Sequence, residues 1–359
     1  DTQALEAAFG QLDLLVVSDI VMSETARLAH YVLPCRTFYE SWDATFFPWT
    51  YPEVYLQLRR PLVTPPSECL EASQIFTRLA DRMGVIPDLP DGLYAAAAAA
   101  AKGGRLSFGA RLMTLSQEVP EALKILPFVL AKTLGAEWDS AAKAGLWGLL
   151  MTAPKVFGQQ AARAGFAPGV DQGDRIFQAL LDTPEGLWVG KADAENPMDG
   201  IRTPSGKIEL FIGELEERLL TLTPQREAEA LRLPASLPLV LNAGRHIRFN
   251  ANTLMRNPEW NAGKRACTVA MSPADAGALN LRDGQKVNLT TAAGSATGEL
   301  EVSDQVREGM VLVPHGFGLN YAGEVYGLNV NRLTQGTHRD AIGTPLHRFV
   351  PCRVDSVRE

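Results

Sequence analysis

Cysteine is scarce in this sequence, and its spacing argues against several kinds of site. The four cysteines, Cys35, Cys69, Cys267 and Cys352, each stand alone, and there is no CxxC motif. A disulfide scaffold, a structural zinc site and an iron–sulfur cluster held by this chain alone are therefore disfavoured. Isolated thiols fit a reducing compartment, so we expect a cytoplasmic location.

Several other features are also missing. The sequence has no P-loop GxxxxGK[ST], no GxGxxG and no GxSxG, and no group of His, Cys and carboxylate residues has metal-site spacing. We therefore assign neither a catalytic residue nor a metal ligand to this chain. No apolar run reaches the ~18 residues of a membrane span. A net charge of −7 disfavours nucleic acid and anionic membrane surfaces as partners.

What is present is the composition of a globular protein. Of 359 residues, 46% are apolar and 21% are charged. This length corresponds to two or three domains of ~150 residues each. The chain begins at Asp1 without an initiator Met or a signal-like segment, so we expect a fragment or a processed product.

Residues 1–88 have an α/β pattern. LDLLVVSD is a short apolar run closed by polar residues, as parallel strands in α/β sheets are. MSETARLAHYVLP predicts a helix and then a second strand, and ECLEASQIFTRLADRMG predicts an amphipathic helix. Ile75, Leu79 and Met83 share one face of that helix, and Gly84 is its predicted C-cap.

The rest of the chain divides in two. Residues 89–230 contain apolar stripes at helical spacing and predict a mostly helical insertion, which returns to the α/β region through RTPSGKIEL. Residues 234–359 contain many short strands with little helix, and Gly294 and Gly298 mark turns or bulges. That pattern is typical of a closed β-barrel.

Two polar residues follow the first predicted strand. Ser18 and Asp19 stand at its carboxyl end, where open α/β sheets bind ligands. A carboxylate there can accept two parallel hydrogen bonds from the N–H/NH₂ edge of guanine, or it can bind a ribose. It can equally cap a following helix, so the pair leaves nucleotide binding and capping open.

A second candidate site is the basic loop NAGRHIRFNANTLMR. Gly244 lets the backbone approach a ligand closely. The polar and basic side chains of this loop are Arg245, His246, Arg248, Asn250, Asn252 and Arg256. They suit a diphosphate and a polar heterocycle, and a solvated basic loop explains them equally well.

The third candidate site is NRLTQGTHRDAIGTPLHRFVP. Asn331 lies in a stretch without strong periodicity, which predicts a loop, and Arg348 can reach an anion. A lone histidine such as His347 is more often structural than catalytic. The same interpretation covers His30, His315 and His338.

Six motifs follow one another in a recognisable order. They are LDLLVVSDIVMSETARLAHYVLP, PPSECLEASQIFTRLADRMG, TPSGKIEL, NAGRHIRFNANTLMRNPEW, MSPADAGALNLRDGQKVNL and NRLTQGTHRDAIGTPLHRFVP. Together they resemble the molybdopterin-dependent oxidoreductases of the dimethyl-sulfoxide-reductase type, especially formate-dehydrogenase-like members. The resemblance covers residues 1–88 and 234–359 well and the helical middle poorly.

The resemblance implies a molybdenum or tungsten ion held between two molybdopterin guanine dinucleotides. It also implies that the chain is the C-terminal half of a catalytic subunit. Residues 1–88 would be the C-terminal part of a Rossmann-like α/β cofactor-binding domain, and residues 89–230 the helical insertion. Residues 234–359 would be a double-psi β-barrel that binds the molybdopterin dinucleotide.

Each candidate matches a position of that family. Ser18 and Asp19 match a guanosine-contacting pair, residues 243–252 match the barrel loop around a pterin and its diphosphate, and Asn331 and Arg348 match later contacts. The implied cofactor-binding residues are Ser18, Asp19, Glu71, Ala243, Gly244, Arg245, His246, Arg248, Phe249, Asn250, Asn252, Asn331 and Arg348.

The sequence also departs from the family. His30 stands where the family usually has an aspartate, and Ala72 replaces another aspartate beside Glu71, which puts one guanine or ribose contact in doubt. The family's iron–sulfur cysteines and its metal-ligating Cys, selenocysteine or Ser belong to its N-terminal half. Cys35 does not match that ligand, so we expect an iron–sulfur cluster only in the missing half.

Two main functions fit the sequence. The first is the cofactor-binding part of a two-electron oxidoreductase, with formate as the leading substrate. Its partners would be the N-terminal half of the same subunit and an iron–sulfur electron-transfer subunit. The alternative is a non-catalytic molybdopterin-dinucleotide-binding module that docks to a separate catalytic chain. A barrel protein unrelated to molybdenum is a third hypothesis.

Overall fold

The computed structural model describes residues 1–45, 53–152, 158, 161–191, 201, 203–244, 255–261, 265, 267–340 and 342–357. These residues contain both helices and strands, and six strands close into a barrel, so the mixed α/β class and the predicted barrel are confirmed. Among the described helices, none is long and apolar enough to cross a membrane.

The chain forms two compact units. The first unit consists of Asp1–Val17, Val21–Val32 and Phe211–Glu359, and the second of Ser18–Ile20 and Leu33–Leu210. The division into three segments expected from the sequence stays a prediction.

The elements of the described residues are as follows. The α-helices are α1 (Thr2–Phe9), α2 (Ala72–Arg82), α3 (Asp91–Ala101), α4 (Arg105–Glu118), α5 (Leu126–Lys132), α6 (Leu134–Glu137), α7 (Ala141–Thr152), α8 (Gln172–Asp182), α9 (Gly213–Leu220), α10 (Pro224–Ala230) and α11 (Pro273–Ala278). The strands are β1 (Val16–Asp19), β2 (Tyr31–Pro34), β3 (Asp43–Ala44), β4 (Glu53–Leu56), β5 (Leu58–Arg59), β6 (Leu187–Lys191), β7 (Leu239–Gly244), β8 (Thr268–Met271), β9 (Lys286–Thr291), β10 (Ser295–Val302), β11 (Met310–Pro314), β12 (Leu319–Tyr321), β13 (Glu324–Tyr326) and β14 (Val350–Ser356).

The barrel of the first unit is closed in the order β10-β8-β11-β7-β14-β9. β7 pairs with β11 and β8 with β10 in parallel, whereas the other neighbours are antiparallel. Burial alternates along β7 and β9, because successive side chains point to opposite faces of a strand. The fully buried core side chains include Leu241, Val269, Met271, Leu289, Leu300, Val311 and Val313. Each stabilises the fold by ~1.5–3 kcal/mol relative to an exposed side chain.

The second unit contains a helical core. Phe108 on α4, Trp147 on α7 and Phe177 on α8 are 0–1% exposed, and the Phe108 and Trp147 ring centroids lie 5.7 Å apart. Trp147 also donates its indole N–H to Asp174 at 2.8 Å, so this large ring is buried with its polar atom satisfied. Ala97 on α3 is buried as well. The apolar helical stripes of the sequence therefore face a common core.

The α/β pattern of the N-terminal segment is realised in part. β1 and β2 form a two-stranded sheet. Tyr31 donates its N–H to Leu15 O and Cys35 donates to Asp19 O, so the two strands run in the same direction. The helix predicted between them is wrong, because only a short 3₁₀ turn, Ala26–Leu28, is present.

Helix α2 is where the sequence predicts a helix, but it buries a different set of residues. The C-cap residue is Met83 rather than the predicted Gly84, and Gly84 follows it with φ +71°, a conformation that suits glycine after a helix end. Ile75 and Thr77 are buried, whereas Leu79 and Met83 are 45% and 77% exposed. The prediction of a buried apolar face is therefore wrong for Leu79 and Met83. Periodicity predicts where a helix forms, but it does not show which parts of the protein pack against that helix.

Within the first unit, an ion pair between Glu24 and Arg256 connects the segment after β1 with the segment after β7. Arg256 donates to the two carboxylate oxygens of Glu24 at 2.9 and 2.5 Å, and the N–H of Asn320 donates to the same carboxylate at 2.8 Å. Burial by itself raises the pKa of Glu24, but these hydrogen bonds and the charge of Arg256 outweigh it and lower the pKa to about 2.

We expect Glu24 to make the fold sensitive to acid. Its pKa is lower in the folded protein than the ordinary 4.5, so its stabilisation is complete above that pH and is lost as the pH falls towards 2. Glu24→Gln should lower the free energy of unfolding at pH 7 by roughly 1–2 kcal/mol, because a charged hydrogen bond is lost from a partly screened site. Urea denaturation from pH 7 to pH 2 measures both effects. The exposed Glu308 of the same unit gives a matched control, Glu308→Gln. An identical acid dependence in Glu24→Gln and the unsubstituted protein would contradict the assignment.

Candidate functional site

The first unit contains a cavity of about 870 Å³ at one end of the barrel. This volume falls in the ~300–1,000 Å³ range of small-molecule and cofactor sites. Its lining comes from the ends of β7 and β11, from residues 331–339, and from residues 345–351 at the start of β14. Segments far apart in the sequence therefore meet in one concave site.

The parallel pairing of β7 with β11 brings these segments together. Pro314 is paired with Gly244 in that register, so the carboxyl ends of the two strands are adjacent. Past the strand ends, His315 donates its N–H to Gly244 O at 2.9 Å, and Ala243 donates its N–H to His347 O at 3.0 Å. Main-chain hydrogen bonds thus join the end of β7 to the residue after β11 and to the segment before β14, and all three border the cavity.

Three of the sequence-predicted residues line this cavity. They are Ala243 on β7, Asn331 in a 3₁₀ turn (Val330–Leu333), and Arg348 just before β14. Ala243 is 1% exposed and contributes backbone, whereas Asn331 and Arg348 are exposed. The amide and guanidinium groups are therefore available to a ligand.

Gly244 lies beside the cavity, and the structure gives it a packing role. A Cβ atom at this position would come within 2.4 Å of Leu312 Cδ1. The missing side chain therefore makes room for Leu312 of the paired strand β11. A close approach of the Gly244 backbone to a ligand stays a prediction.

The cavity lining also contains three histidines that the sequence analysis interpreted as structural and an arginine that it did not single out, namely His315, His338, His347 and Arg339. The rings of His315 and His347 lie edge to face with centroids 5.3 Å apart, so neither histidine is isolated. A signal was present in the sequence, because the dipeptide His-Arg occurs at 338–339 and again at 347–348. Two such pairs close to Asn331 mark a basic segment, and the structural interpretation of these histidines stays a prediction.

The charge of the described lining is mainly basic. Arg339 and Arg348 are cationic, and the carboxylate of Asp1 is already bound by the N–H groups of Ala4 at 3.1 Å and Gly336 at 2.9 Å. Two cations, an amide and an apolar wall that includes Leu346 suit a multiply charged anion attached to a polar ring. Among the described residues, no group of three or more His, Cys, Asp or Glu side chains is placed to hold a metal ion.

Much of the second candidate loop lies outside the described residues, namely Arg245, His246, Arg248, Phe249, Asn250 and Asn252. Arg256, at the end of the same motif, is described, and its charge is paired with Glu24. The interpretation of Arg256 as an available cation is therefore wrong, because a carboxylate has already bound its guanidinium group.

Ser18 and Asp19 lie at the end of β1, as predicted, and belong to the second unit. Ser18 Oγ lies 3.0 Å from Cys35 Sγ, and the Asp19 carboxylate accepts the N–H of Ile20 at 2.7 Å. The next helical turn has Thr25 at its N-cap position, so Asp19 does not cap it. Of the alternatives left open by the sequence, nucleotide binding by Asp19 stays a prediction.

Glu71 is 4% exposed and bridges two helices of the second unit. Its carboxylate accepts the hydroxyl of Ser140 at 2.7 Å and the N–H of Ala142, at the start of α7, at 3.2 Å. Its main-chain N–H donates to Gln74 at 3.0 Å in the capping box of α2. These contacts explain the burial of Glu71 structurally, and a cofactor contact by Glu71 stays a prediction.

Two family models match the chain. The molybdopterin oxidoreductase model matches residues 1–82, and the molydopterin dinucleotide binding domain model matches residues 239–350. The second match spans the barrel from the start of β7 to the start of β14 and includes most of the cavity lining.

Curated relatives match over different lengths. The chain is 44% identical over 84 residues to F420-dependent formate dehydrogenase subunit alpha of Methanocaldococcus jannaschii, covering 23% of this chain and 12% of that protein. It is 24% identical over 319 residues to F420-dependent formate dehydrogenase 2 subunit alpha of Methanococcus maripaludis, covering 88% of this chain and 36% of that protein. The chain therefore spans about a third or less of the length of these relatives.

A solved structure has the same fold over most of the chain. Acetylene hydratase from Pelobacter acetylenicus superposes with a TM-score of 0.57 at 18% sequence identity, covering 96% of this chain and 40% of that one. At this identity the likeness concerns the fold. The name of that enzyme, a hydratase, indicates that a shared fold does not determine the reaction.

We expect Glu71→Ala to destabilise the second unit by about 2–3 kcal/mol, because it leaves the buried Ser140 hydroxyl and the N–H of Ala142, in the first turn of α7, without their acceptor. Thermal unfolding measures this loss, and Glu68→Ala, at an exposed position three residues earlier, is the matched control. A Glu71→Ala protein with unchanged unfolding but less bound cofactor would instead support the binding role implied by the sequence.

Proposed function

Since the chain belongs to the molybdopterin oxidoreductase family, we propose that it supplies the C-terminal, cofactor-binding part of a formate-dehydrogenase-like enzyme. That enzyme would use molybdenum or tungsten bound by two molybdopterin guanine dinucleotides. The N-terminal half of the same subunit would provide the metal-ligating residue and an iron–sulfur cluster.

One observation supports this proposal above all. Ala243, Asn331 and Arg348, three of the cofactor-binding residues that the family resemblance implies, line one cavity within the part of the chain matched as a dinucleotide-binding domain. The donor set fits the cofactor, because guanidinium groups pair with phosphate oxygens and an amide can both donate to and accept from a pterin edge.

The chain's own residues would bind and orient this cofactor. Arg348 and Arg339 would neutralise phosphate charge, and Asn331 would hold a polar ring edge. Acceptance of a guanine N–H/NH₂ edge by Asp19 is a separate proposal, which concerns the second unit alone. The cofactor itself supplies the two-electron chemistry. Hydrogen bonds from these residues would fix its orientation and tune its potential.

The finer fold assignments belong to the same proposal. A closed six-stranded barrel with two parallel pairs among antiparallel ones is consistent with a double-psi barrel. Two strands that run in the same direction, β1 and β2, are consistent with the edge of a Rossmann-like domain.

Formate is the proposed substrate because a formate dehydrogenase alpha subunit matches 88% of the chain in sequence. Their description as alpha subunits supports a multi-subunit enzyme with an electron-transfer partner. A cytoplasmic location remains part of the proposal, since all four cysteines are free thiols.

A non-catalytic binding module is the second candidate function. The barrel has its own core and contains the cavity within a single compact unit. Such a unit could bind a molybdopterin dinucleotide and dock to a separate catalytic chain. Under this alternative, the protein would contain pterin without oxidising formate.

Cofactor content tests the role of the cavity. Arg348→Ala should weaken cofactor retention roughly 10- to 100-fold, because it removes a charged hydrogen-bond donor worth about 1.5–3 kcal/mol. Pterin fluorescence after oxidation, together with metal analysis of the purified protein, measures retention. Arg353→Ala is the matched control, because Arg353 lies on β14, which begins two residues after Arg348, is outside the cavity and pairs with Asp355. Equal cofactor content in both variants would contradict the assignment of the cavity.

Formate oxidation with an artificial electron acceptor tests the substrate. The complete subunit, in which this chain is joined to the proposed N-terminal half with its cofactor, should reduce the acceptor only when formate is added. Bound pterin and metal without formate oxidation would favour another substrate or the binding module. A protein without pterin would contradict both candidate functions.

A further inference from the structure

Helix α9 of the first unit exposes a row of large apolar side chains. None of its residues is buried. Leu215 and Leu219 on the helix, Ile212 just before it and Leu222 just after it follow one another at intervals of three or four residues, so they share one side. These four residues, which we call the α9 face, are 41–68% exposed.

Local interactions do little to stabilise α9. The helix has eight residues, whereas isolated helices shorter than ~12–15 residues are marginal in water. Its N-cap residue, Ile212, makes no side-chain capping hydrogen bond, and Gly213 at its first position has poor helix propensity. Short helices of this kind are stabilised mainly by the packing of an amphipathic face. The exposed α9 face therefore indicates that α9 packs against another surface in the assembled protein.

The charges of α9 favour a basic neighbour. Its three glutamates, Glu214, Glu216 and Glu217, are all exposed, and Arg218 is its single cation. The N–H of Thr344 lowers the pKa of Asp340, and the charge of Arg218 adds to this lowering. Arg218 therefore lies near a carboxylate of its own unit, and α9 presents a surplus of negative charge.

This surplus argues against a second copy of the chain as the neighbour. Two copies that met through α9 would bring their glutamates together, and like charges at an interface repel each other. An apolar surface bordered by Lys or Arg would instead complement both the leucines and the glutamates of α9.

The relatives indicate where such a surface comes from. The sequence match that covers 88% of this chain takes up 36% of the relative, and the superposition that covers 96% of it takes up 40% of the solved structure. More than half of each of those proteins thus lies outside the matched part. The proposed function assigns the corresponding part of this enzyme to the N-terminal half of the subunit.

We propose that the α9 face is a docking surface for the N-terminal half of the same subunit, which contacts it through an apolar patch bordered by Lys or Arg. This inference rests on the proposed function, since that proposal supplies the N-terminal half. It adds a specific contact between the two halves, made by the helix that precedes the barrel.

Hydrogen–deuterium exchange of the 359-residue chain and of the complete subunit tests the contact. The amides of α9 should exchange at least tenfold more slowly in the complete subunit, because docking suppresses opening of the helix. Helix α10 is the internal control, since it is also exposed and, apart from Pro224, contains no apolar side chain larger than alanine. Its exchange should be equal in the two proteins.

A charge on the α9 face separates docking from folding. In the complete subunit, Leu219→Glu should abolish the slower exchange of α9 and lower the Tm, because the carboxylate would be buried against an apolar surface. In the 359-residue chain the same side chain stays in water, so its Tm should not change. Ala228→Glu adds an equal charge to α10 at an exposed position and is the matched control, with no effect in either protein.

Three outcomes are distinguishable. Slower exchange of α9 that is confined to the complete subunit and is lost in Leu219→Glu supports the inference. Equal exchange of α9 in both proteins overturns it. Slower exchange in the 359-residue chain at high concentration, with a dimer in sedimentation that Leu219→Glu dissociates, also overturns it and identifies a second copy as the neighbour. Pterin content and formate oxidation of the complete subunit decide the proposed function separately.

Discussion

The parallel pairing of β7 with β11 is the constraint on which the candidate site depends. Parallel strands end at the same edge of a sheet, so Gly244 and His315 become neighbours although about 70 residues separate them in the sequence. An antiparallel pairing would place the two strand ends at opposite ends of the barrel. The cavity is thus a consequence of strand direction, and the side chains that line it add its chemistry.

Charge pairing decides which arginines can act on a ligand. The chain is acidic overall, with a net charge of −7, yet Arg339 and Arg348 lie in a cavity whose described carboxylate is bound by main-chain N–H groups. Arg256 comes from an equally basic motif, but Glu24 binds its guanidinium group and makes it structural. Arginine therefore has two different roles in this chain. Arg256 is structural because a carboxylate binds it, whereas Arg339 and Arg348 lie in the cavity, where they can bind an anion.

Two carboxylates show how tertiary contacts override local expectations. Glu24 lies in a predicted helix, of which only a short 3₁₀ turn is present, and its carboxylate binds Arg256 and the N–H of Asn320. Glu71 is a candidate ligand contact in the sequence, and its burial against Ser140 links α2 to α7. Sequence patterns cannot anticipate either arrangement, since each depends on a partner that is more than 60 residues away.

Periodicity and motif order alone determined the strand that ends in Ser18 and Asp19, helix α2, the C-terminal barrel and the family resemblance. Such features depend on local backbone preference and on the spacing of apolar residues. Both properties are determined by residues that are close together in the sequence. Only the tertiary structure decided that Leu79 and Met83 stay exposed and that Asn331, Arg348 and three histidines share one cavity. Packing partners and strand direction are long-range properties, so no local pattern contains them.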